Sequence, residues 1–526
     1  MSMESSISSQ RIPKNPFGDI KIKPEPSKLK MRILLVAKAT IPFERNAIML
    51  LSSNLKKQGC EVKAGMLKCS TTKAEDKKVT ESQERIYNMV KDFKPHVIGY
   101  SCMTGEHYDI LKINTRLKKD FEFISVMGGP HATFNRSIIE EDDLDAICTG
   151  EGDNSFPEFI NRIQNEEEWW LTPTFHTKHK GQIYRNPLAD LVPDLNDLPF
   201  PDRQVLYDAD PDLAKIGNKS FISARGCPYK CTYCFNKQYN DNYKGKGQIL
   251  RVRSPQLVVS EIERVKNKYP LDTVTFTDDI FTLRPSGWIV EFSDLYKKRI
   301  GLPFNITARA SSVKKEDIKT LKNAGLAYVW MGVECGDEEY ANSIFLRHTT
   351  NETIIKVAKW FKEYDVGLLS LNILGLPVKN PFEVDLRTLD LNLKLKPALG
   401  FFSLLYPFPG TAIAKTAIER GYFKEDKNTL YLESNWRNSM LKFNSKKEKM
   451  MVENLHKLAG IIIEFPFLRP FTKFLCSLPL SNFYRLLMFI HLGYAHKIRL
   501  RPPKFKTFLK ELPIFWGYFK ALLAKT

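Results

Sequence analysis

The stretch KSFISARGCPYKCTYC, residues 219–234, joins a short apolar strand to three cysteines. Cys227, Cys231 and Cys234 follow this strand within eight residues, so we expect them in one loop at its carboxyl end. Thiolates are soft ligands that favour iron–sulfur clusters or zinc. A structural zinc site takes a fourth ligand, and no further Cys or His lies close by in the sequence. The spacing predicts a four-iron cluster with one iron left open; unliganded core cysteines are the alternative.

The region around this loop alternates between apolar strands and helical patterns such as Gln256–Lys268 and Lys314–Asn323. Six strand–helix repeats are two short of a closed eight-unit barrel. The predicted fold is therefore a partial barrel, open on one side, which would admit a large substrate. The predicted strands are Lys219–Ala224, Asp272–Thr277, Phe304–Arg309, Ala327–Val333, Leu368–Leu374 and Gly400–Leu405.

An earlier alternation predicts a second α/β unit, with a parallel sheet and helices on both faces. Its predicted strands are Met31–Ala37, Glu61–Leu67, His96–Ser101, Phe123–Met127 and Asp145–Cys148, and its predicted helices include Asn46–Lys57 and Glu106–Lys119. Ligands bind such sheets at the carboxyl ends of the strands. Those ends carry Ser101-Cys102-Met103-Thr104, Gly128-Gly129-Pro130-His131 and Gly150-Glu151-Gly152. Glycines there would let the backbone approach a large ligand closely; tight turns alone are the alternative.

The cysteine triplet resembles the signature of the radical S-adenosylmethionine (SAM) superfamily, Cys-x3-Cys-x2-Cys with an aromatic residue, here Tyr233, before the last cysteine. The resemblance covers about residues 215–430. It implies a [4Fe–4S] cluster whose open iron is chelated by SAM, with Tyr233 beside the cofactor. It also implies cleavage of SAM to a 5′-deoxyadenosyl radical, which abstracts hydrogen from an unactivated carbon.

The resemblance assigns the polar residues at the other strand ends to SAM. Asp278 or Asp279 would take its ammonium group, and Arg309 would meet its carboxylate as a bidentate pair. Glu334 would accept from the ribose hydroxyls. Each of these residues could instead be a surface charge or part of a salt bridge.

The amino-terminal unit resembles the flavodoxin-like cobalamin-binding domains that precede the barrel in cobalamin-dependent radical SAM enzymes. This class includes magnesium-protoporphyrin cyclases, hopanoid methylases and tetraether lipid ring synthases. The chain lacks the Asp-x-His-x-x-Gly motif, so cobalamin would have no histidine from that motif on its cobalt. We interpret His96 as a strand-entry residue and His131 as a loop residue near the corrin. The cobalamin contacts implied by the resemblance are Ser101, Thr104, Gly128, Gly129 and Gly152.

Composition and charge restrict the class of protein. The 526 residues have a formal net charge of +19, nine cysteines and no run of about 18 apolar residues. The odd, small cysteine count does not suit a disulfide scaffold, and the first ten residues do not read as a secretory signal. We therefore expect a protein of the reducing cytoplasm with an anionic partner, either a membrane surface or nucleic acid.

Residues 465–526 hold eleven Lys or Arg, one acidic residue and 14 aromatic residues. Such a basic, aromatic-rich segment, too short to span a bilayer, predicts peripheral attachment to the anionic inner face of the membrane. Nucleic-acid binding and a small helical cap on the barrel are the alternatives.

Together these patterns predict a disordered leader (1–30), a cobalamin-binding-like domain (31–165), a connector (166–214), a radical SAM partial barrel (215–430) and a basic helical region (431–526). The predicted activity is methylation or cyclisation of an unactivated carbon in a lipid-like or tetrapyrrole-like substrate, with electrons from a donor such as flavodoxin or ferredoxin. The alternatives are an RNA-modifying radical SAM enzyme and a non-catalytic metal-binding protein.

Overall fold

The computed structural model describes residues 30–39, 44–68, 73–424 and 438–495. The predicted disordered leader, apart from its last residue, lies outside these ranges, as does the part of the basic tail beyond Ala495. Within the described ranges, no helix combines the length and apolar character needed to cross a membrane.

The amino-terminal sheet has its first five strands parallel, in the order β2-β1-β3-β4-β5. Apolar residues on both faces of the strands pack into two separate cores, one on each side of the sheet. This is the flavodoxin-like arrangement that the sequence predicts. The elements are β1 (Arg32–Ala39), α1 (Asn46–Lys57), β2 (Glu61–Lys68), α2 (Lys73–Phe93), β3 (Val97–Ser101), α3 (His107–Lys118), β4 (Ile124–Gly128), α4 (Pro130–Phe134), β5 (Ala146–Cys148) and α5 (Ser155–Gln164).

The segment expected to be a connector instead extends this sheet. Strands β6 (Phe175–His179) and β7 (Gln182–Arg185) form an antiparallel hairpin that pairs with β5. Its two-residue turn, Lys180-Gly181, has positive φ at both positions, as in a type I′ hairpin turn. These strands contain polar residues and form no apolar run, so the sequence pattern does not predict them. An edge hairpin can be polar because much of its surface remains in water.

The second sheet is an open half barrel of six parallel strands in the order β15-β14-β13-β12-β11-β8. The edge strands β8 and β15 do not pair with each other, so the barrel stays open on one side. A short ladder of β9 and β10 lies beside it. The strands are β8 (Asn218–Phe221), β9 (Ala224–Arg225), β10 (Arg251–Val252), β11 (Thr273–Phe276), β12 (Phe304–Arg309), β13 (Leu326–Glu334), β14 (Gly367–Leu374) and β15 (Leu399–Leu404).

Helices cover the outer surface of the half barrel and its last edge. Residues Phe402 and Leu404 of β15 share a core with Val452, Leu455 and Ile462 of α16. The helices are α6 (Arg203–Ala209), α7 (Pro211–Lys215), α8 (Phe235–Asn242), α9 (Pro255–Lys268), α10 (Trp288–Arg299), α11 (Lys315–Ala324), α12 (Glu338–Ser343), α13 (Asn351–Glu363), α14 (Pro381–Leu395), α15 (Ala412–Glu419), α16 (Lys446–Glu464), α17 (Thr472–Ser477) and α18 (Ser481–Tyr494).

A set of buried ion pairs, the interdomain ion cluster (Glu151, Asp153, Arg225, Arg251 and Tyr239), joins the two sheets. Arg225 donates both Nη atoms to the Asp153 carboxylate at 2.7 and 3.0 Å. Arg251 donates to Glu151 at 2.6 and 2.9 Å, and the Tyr239 hydroxyl donates to Glu151 at 2.8 Å. Burial opposes ionisation, but the arginines outweigh it and hold the pKa values of Glu151 and Asp153 below their usual range. The interdomain ion cluster therefore connects the Gly150-Glu151-Gly152 segment to β9, the strand that precedes the cysteines.

A second link forms where Glu44, just before α1, meets the half barrel. The Glu44 carboxylate accepts from Arg203 Nη1 at 2.5 Å and from the Ser220 backbone N–H at 2.8 Å. Ser220 belongs to β8, the strand that leads into the cysteine loop. The two domains are thus joined at β8 as well as at β9.

We expect Gly150→Ala to destabilise the domain interface. A Cβ at Gly150 would stand 2.0 Å from the Tyr243 hydroxyl, which itself accepts a 2.8 Å hydrogen bond from the Glu151 N–H. Such overpacking costs about 1–3 kcal/mol, which should lower the thermal unfolding midpoint by several degrees.

Two variants check the cause of that loss. Gly150→Ala combined with Tyr243→Phe should recover part of it, because the clashing oxygen is gone. Gly493→Ala, where nothing lies within 4 Å of the added Cβ, should leave the midpoint unchanged or raise it. Equal midpoints for Gly150→Ala and the unaltered chain would contradict the packing argument.

Candidate active site

The cysteine loop runs from β9 to α8 and is fixed by bonds to other parts of the half barrel. The Thr232 N–H donates to the Phe345 carbonyl at 3.2 Å, and its hydroxyl donates to the Ile344 carbonyl at 2.6 Å. The Thr232 carbonyl accepts from the Ile413 N–H at 3.0 Å. These hydrogen bonds anchor the loop at the carboxyl end of the barrel.

Two arginines surround the sulfur of Cys231. Arg309 Nη1 lies 3.3 Å from this sulfur, and Arg347 Nη1 lies 3.9 Å from it. The Arg309 guanidinium also stacks on Tyr229, 3.9 Å from the ring centroid. Both arginines are buried. Positive charge beside a sulfur suits a thiolate that carries part of the negative charge of a cluster.

The donor set of the loop fits an iron–sulfur cluster. Cys227 and Cys231 are buried, and the Cys234 sulfur accepts from the Asn236 N–H at 3.5 Å. Burial raises the pKa of Cys227 to about 11 and that of Cys234 to about 12. Metal binding would displace those protons. Over the ranges that the structure describes, no three His, Cys, Asp or Glu side chains form a group able to hold a single metal ion.

The neighbouring residues Asp278 and Asp279 have different surroundings. Asp278 is buried, and its two oxygens accept from the Ser223 N–H and hydroxyl at 2.7 and 2.5 Å and from Arg284 at 2.5 Å. Asp279 is exposed and accepts from the Gly226 N–H at 3.1 Å and from Asn236 Nδ2 at 2.9 Å. Asp279 thus holds both flanks of the cysteine loop, whereas Asp278 already has an internal cation.

The buried residues Glu334 and Arg347 form a group with the half-buried Tyr233 next to Cys231. Arg347 Nη1 donates to the Tyr233 hydroxyl at 3.0 Å and lies 3.9 Å from Glu334 Oε1. Burial raises the pKa of Glu334 in spite of the arginine. Glu334 has a φ of +66°, and the residues on either side of Arg347 have positive φ as well. Sequence reasoning missed Arg347, which lies in an irregular loop after α12 and has no motif spacing.

The glycines at the carboxyl ends of the amino-terminal strands divide into two kinds. A Cβ at Gly129, whose φ is +95°, would stand 2.7 Å from the Cys102 carbonyl, so its own chain requires glycine there. A Cβ at Gly128 or Gly152 would make only ordinary contacts, at 3.4 Å or more. The chain's own packing therefore does not require glycine at these two positions, and close approach of a large cofactor would account for it. Ser101 and Thr104 lie half-buried beside them at the end of β3.

The histidines of this domain differ in part from expectation. His96 Nδ1 accepts from the Arg32 N–H at 3.0 Å, which agrees with a strand-entry role. His131, expected in a loop near the corrin, is buried in α4 and stacks on His107 with ring centroids 4.0 Å apart. Burial lowers the pKa of His131 to about 3, so its ring is neutral. His131 lies in the first turn of α4, and its side chain is buried in the core of the domain.

A row of aromatic rings, the aromatic bridge (Phe134, Phe235, Phe408 and Tyr406), connects the two halves of the site. Phe134 of α4 stacks on Phe235, the residue after Cys234, with centroids 4.5 Å apart and planes 13° apart. Phe408, in the loop after β15, lies 5.0 Å from Phe235 and 4.5 Å from Tyr406. The bridge places the glycine-rich edge of the first sheet against the cysteine loop.

A cavity of about 470 Å³ lies between α8 and α15. These helices follow the first and last strands of the half barrel, so the cavity marks its open side. Its volume is in the range of small-molecule sites. Its charged groups include the pairs Lys237–Asp241 and Lys415–Glu419, at 2.8 and 3.8 Å, so it carries little net charge.

Comparisons with known proteins agree with this geometry. The profile described as the radical SAM superfamily matches residues 221–388, and that of the B12 binding domain matches residues 32–160. An uncharacterized methyltransferase of Pyrococcus horikoshii is 26% identical over 67% of this chain and 74% of its own length. The anaerobic magnesium-protoporphyrin IX monomethyl ester cyclase of Cereibacter sphaeroides is 24% identical over 63% of this chain, which spans only 55% of that enzyme.

Among solved structures, the cobalamin-dependent SAM radical enzyme OxsB, with aqua-cobalamin and SAM bound, shares the fold. The TM-score is 0.66 at 15% sequence identity, over 94% of this chain and 79% of that one. A cysteine loop on a half barrel, facing a B12-binding sheet, defines a radical SAM enzyme with a second cofactor domain. The chain therefore carries a radical SAM domain and a B12 binding domain, as cobalamin-dependent radical SAM enzymes do, and these two domains imply a [4Fe–4S] cluster, SAM and cobalamin as its cofactors.

The residues of the chain prepare the site for these cofactors. Together the cofactors supply an organic radical and a cobalt centre. Arg309 and Arg347 hold positive charge against Cys231, and Asp279 fixes the loop that carries the cysteines. The aromatic bridge lines the region between the two sheets with apolar surface. Such a lining excludes water, which a radical reaction requires.

We expect Cys231→Ala to lose the cluster, because it removes one of the three cysteines predicted to ligate it. Iron analysis after anaerobic reconstitution should show a loss of most of the iron and of the brown absorbance. Cys335→Ala is the matched control: Cys335 is also buried but lies outside the loop, so iron content should be unchanged. Full iron loading of Cys231→Ala would contradict the ligand assignment.

We expect Arg347→Met to make the cluster harder to reduce. A cation beside a ligand sulfur stabilises the additional negative charge of the reduced cluster. A tenfold weaker reduction equilibrium corresponds to a shift of about 60 mV toward negative potential for one electron. A redox titration followed by electron paramagnetic resonance measures this shift. Arg299→Met, on the surface of α10, is the control and should leave the midpoint potential unchanged.

Proposed function

We propose that the protein uses SAM and cobalamin to methylate an unactivated carbon of a hydrophobic, lipid-like or tetrapyrrole-like substrate. The proposal rests above all on the aromatic bridge, in which Phe134 of the cobalamin-side domain stacks on Phe235, next to Cys234. A methyl group and a radical must reach the same carbon, so the two cofactor sites must be neighbours. The methyltransferase of P. horikoshii supports this choice of reaction.

The site residues follow from the contacts described above. Cys227, Cys231 and Cys234 hold the cluster. Asp279, rather than the internally paired Asp278, faces the ammonium of SAM. Arg309 and Glu334 lie beside the cluster for the carboxylate and ribose, and Tyr233 orients Glu334 through Arg347. On the other side, Ser101, Thr104, Gly128, Gly129 and Gly152 line the corrin.

The balance of the reaction follows from the two uses of SAM. As a methyl donor SAM leaves as S-adenosylhomocysteine. As a radical source it takes one electron, from a donor such as flavodoxin or ferredoxin, and leaves as methionine and 5′-deoxyadenosine, which carries the hydrogen abstracted from the substrate. A second electron from the same donor is needed in each turnover, because SAM gives up its methyl group as a cation and the substrate carbon receives it as a radical. Ring closure is the second candidate, favoured by the similarity to the magnesium-protoporphyrin cyclase.

The substrate class is proposed from the apolar lining of the site. Phe134, Phe235 and Phe408 offer rings rather than charges, and the cavity on the open side is close to neutral. RNA would require exposed cations along the same path. Such a substrate also suits a cytoplasmic enzyme attached to the inner face of the membrane.

Anaerobic turnover with methyl-deuterated SAM separates these functions. We expect S-adenosylhomocysteine and 5′-deoxyadenosine in equal amounts, with the deuterated methyl group on a hydrophobic acceptor. Hopanoid and magnesium-protoporphyrin monomethyl ester are the probes for the two substrate classes. Formation of deoxyadenosine without S-adenosylhomocysteine would show that the reaction is cyclisation and not methylation. Cys231→Ala should form no deoxyadenosine. The proposal would be overturned if the holoenzyme formed neither S-adenosylhomocysteine nor deoxyadenosine.

A further inference from the structure

The helices after α16 expose a concentrated apolar surface. Of the 14 large hydrophobic residues that are exposed in the described part of the chain, nine fall between Phe465 and Tyr494. Phe467 and Phe474 are 70% and 64% exposed, the two highest values among these 14 residues. We call this surface the carboxyl-terminal apolar face; its members are Phe465, Phe467, Phe471, Phe474, Leu480, Phe483, Leu486, Ile490 and Tyr494.

The apolar face is held in a fixed orientation by the opposite side of the same helices. Tyr484 and Met488 of α18 are buried, as is Cys476 of α17. Asn454 Nδ2 of α16 donates to the carbonyls of Cys476 and Leu478 at 3.0 and 2.9 Å. Helix α18 therefore has two apolar sides. One side packs on the protein, and the other carries the α18 residues of the carboxyl-terminal apolar face. Helices that are apolar all round are normally covered on every side.

The charge around the face identifies what covers it. Residues 465–495 contain three Lys or Arg and no Asp or Glu, and residues 496–526 add eight Lys or Arg against one Glu. Arg469 and Lys473 lie at the border of the face, where they pair with Asp390 and Glu383 at 2.5 and 2.8 Å. An apolar surface that a strongly basic segment follows in the sequence matches a bilayer with anionic headgroups.

We propose that the carboxyl-terminal apolar face docks on an anionic membrane surface, with its phenylalanine rings among the acyl chains. The face suits lipid better than RNA, because its exposed groups are apolar side chains. A second copy of the chain would have to bring the same basic segment against itself, which like charge opposes. The docking itself does not depend on the chemistry of the active site.

The position of the face also suits delivery of a substrate, and this part rests on the proposed function. Helix α16 covers β15, the last strand of the half barrel, and α15 after β15 borders the cavity on the open side. The helices of the face thus adjoin the edge at which the half barrel opens. A hydrophobic molecule that leaves the bilayer there would have a short path to the site.

Vesicle flotation tests the docking with the full-length holoenzyme. We expect flotation with vesicles of equal parts phosphatidylcholine and phosphatidylglycerol, and weak flotation with phosphatidylcholine alone. The triple variant Phe467→Ser, Phe474→Ser and Ile490→Ser should bind the anionic vesicles at least about tenfold more weakly. Val290→Ser is the control, because Val290 is 56% exposed on the barrel helix α10; its binding should be unchanged.

The remaining outcomes are decided by accompanying measurements. Thermal unfolding and anaerobic SAM cleavage in the triple variant should match the unaltered chain, which separates loss of docking from failure of the proposed function. Equal flotation of the triple variant would overturn the proposal. So would a dimer that becomes monomeric in this variant without any vesicle binding, or flotation that appears only after residues 496–526 are deleted, since the face would then be covered by another copy or by the tail.

Discussion

The relation between the two cofactor sites depends on the interdomain ion cluster. Asp153 follows Gly152 at the cobalamin edge, and Arg225 stands two residues before Cys227, so one bidentate pair spans both sites. Bidentate geometry restricts orientation as well as distance. Loss of one partner from a buried pair costs about 3–5 kcal/mol, because the other charge is left uncompensated. The domains therefore cannot turn apart at low cost, which suits a transfer between sites that must stay aligned.

The charged groups around Cys231 are also held in fixed positions by the fold. Arg347 is carried by a loop in which both neighbours have positive φ, and its partner Glu334 has positive φ as well. Each such residue costs about 1–3 kcal/mol, which the packed surroundings must offset. Because the strain is borne by the folded protein, no reorganisation is needed when negative charge arrives on the sulfur.

Spacing and periodicity suffice to predict much of this structure, and contact geometry accounts for the remainder. The strands and the cysteine loop could be predicted because apolar period and cysteine spacing are local properties. Asp278 and Asp279 could not be told apart, since the difference lies in the distant residues Ser223 and Arg284. The glycines divided in the same way: a Cβ at Gly129 would clash with the backbone of Cys102, whereas one at Gly128 would make an ordinary contact with Cys148. The hairpin of β6 and β7 was missed because edge strands need no apolar run.

The open side of the half barrel and the carboxyl-terminal apolar face make sense together. A half barrel with unpaired edges can admit a molecule too large for a closed barrel, but it also risks admitting water. Here α16 covers the β15 edge, and the cavity beside it is bordered by charges that are already paired. A substrate with low solubility would gain nothing from an opening toward bulk water. If the face docks on lipid as proposed, an opening next to it would let such a substrate enter while the aromatic bridge keeps water from the reacting region.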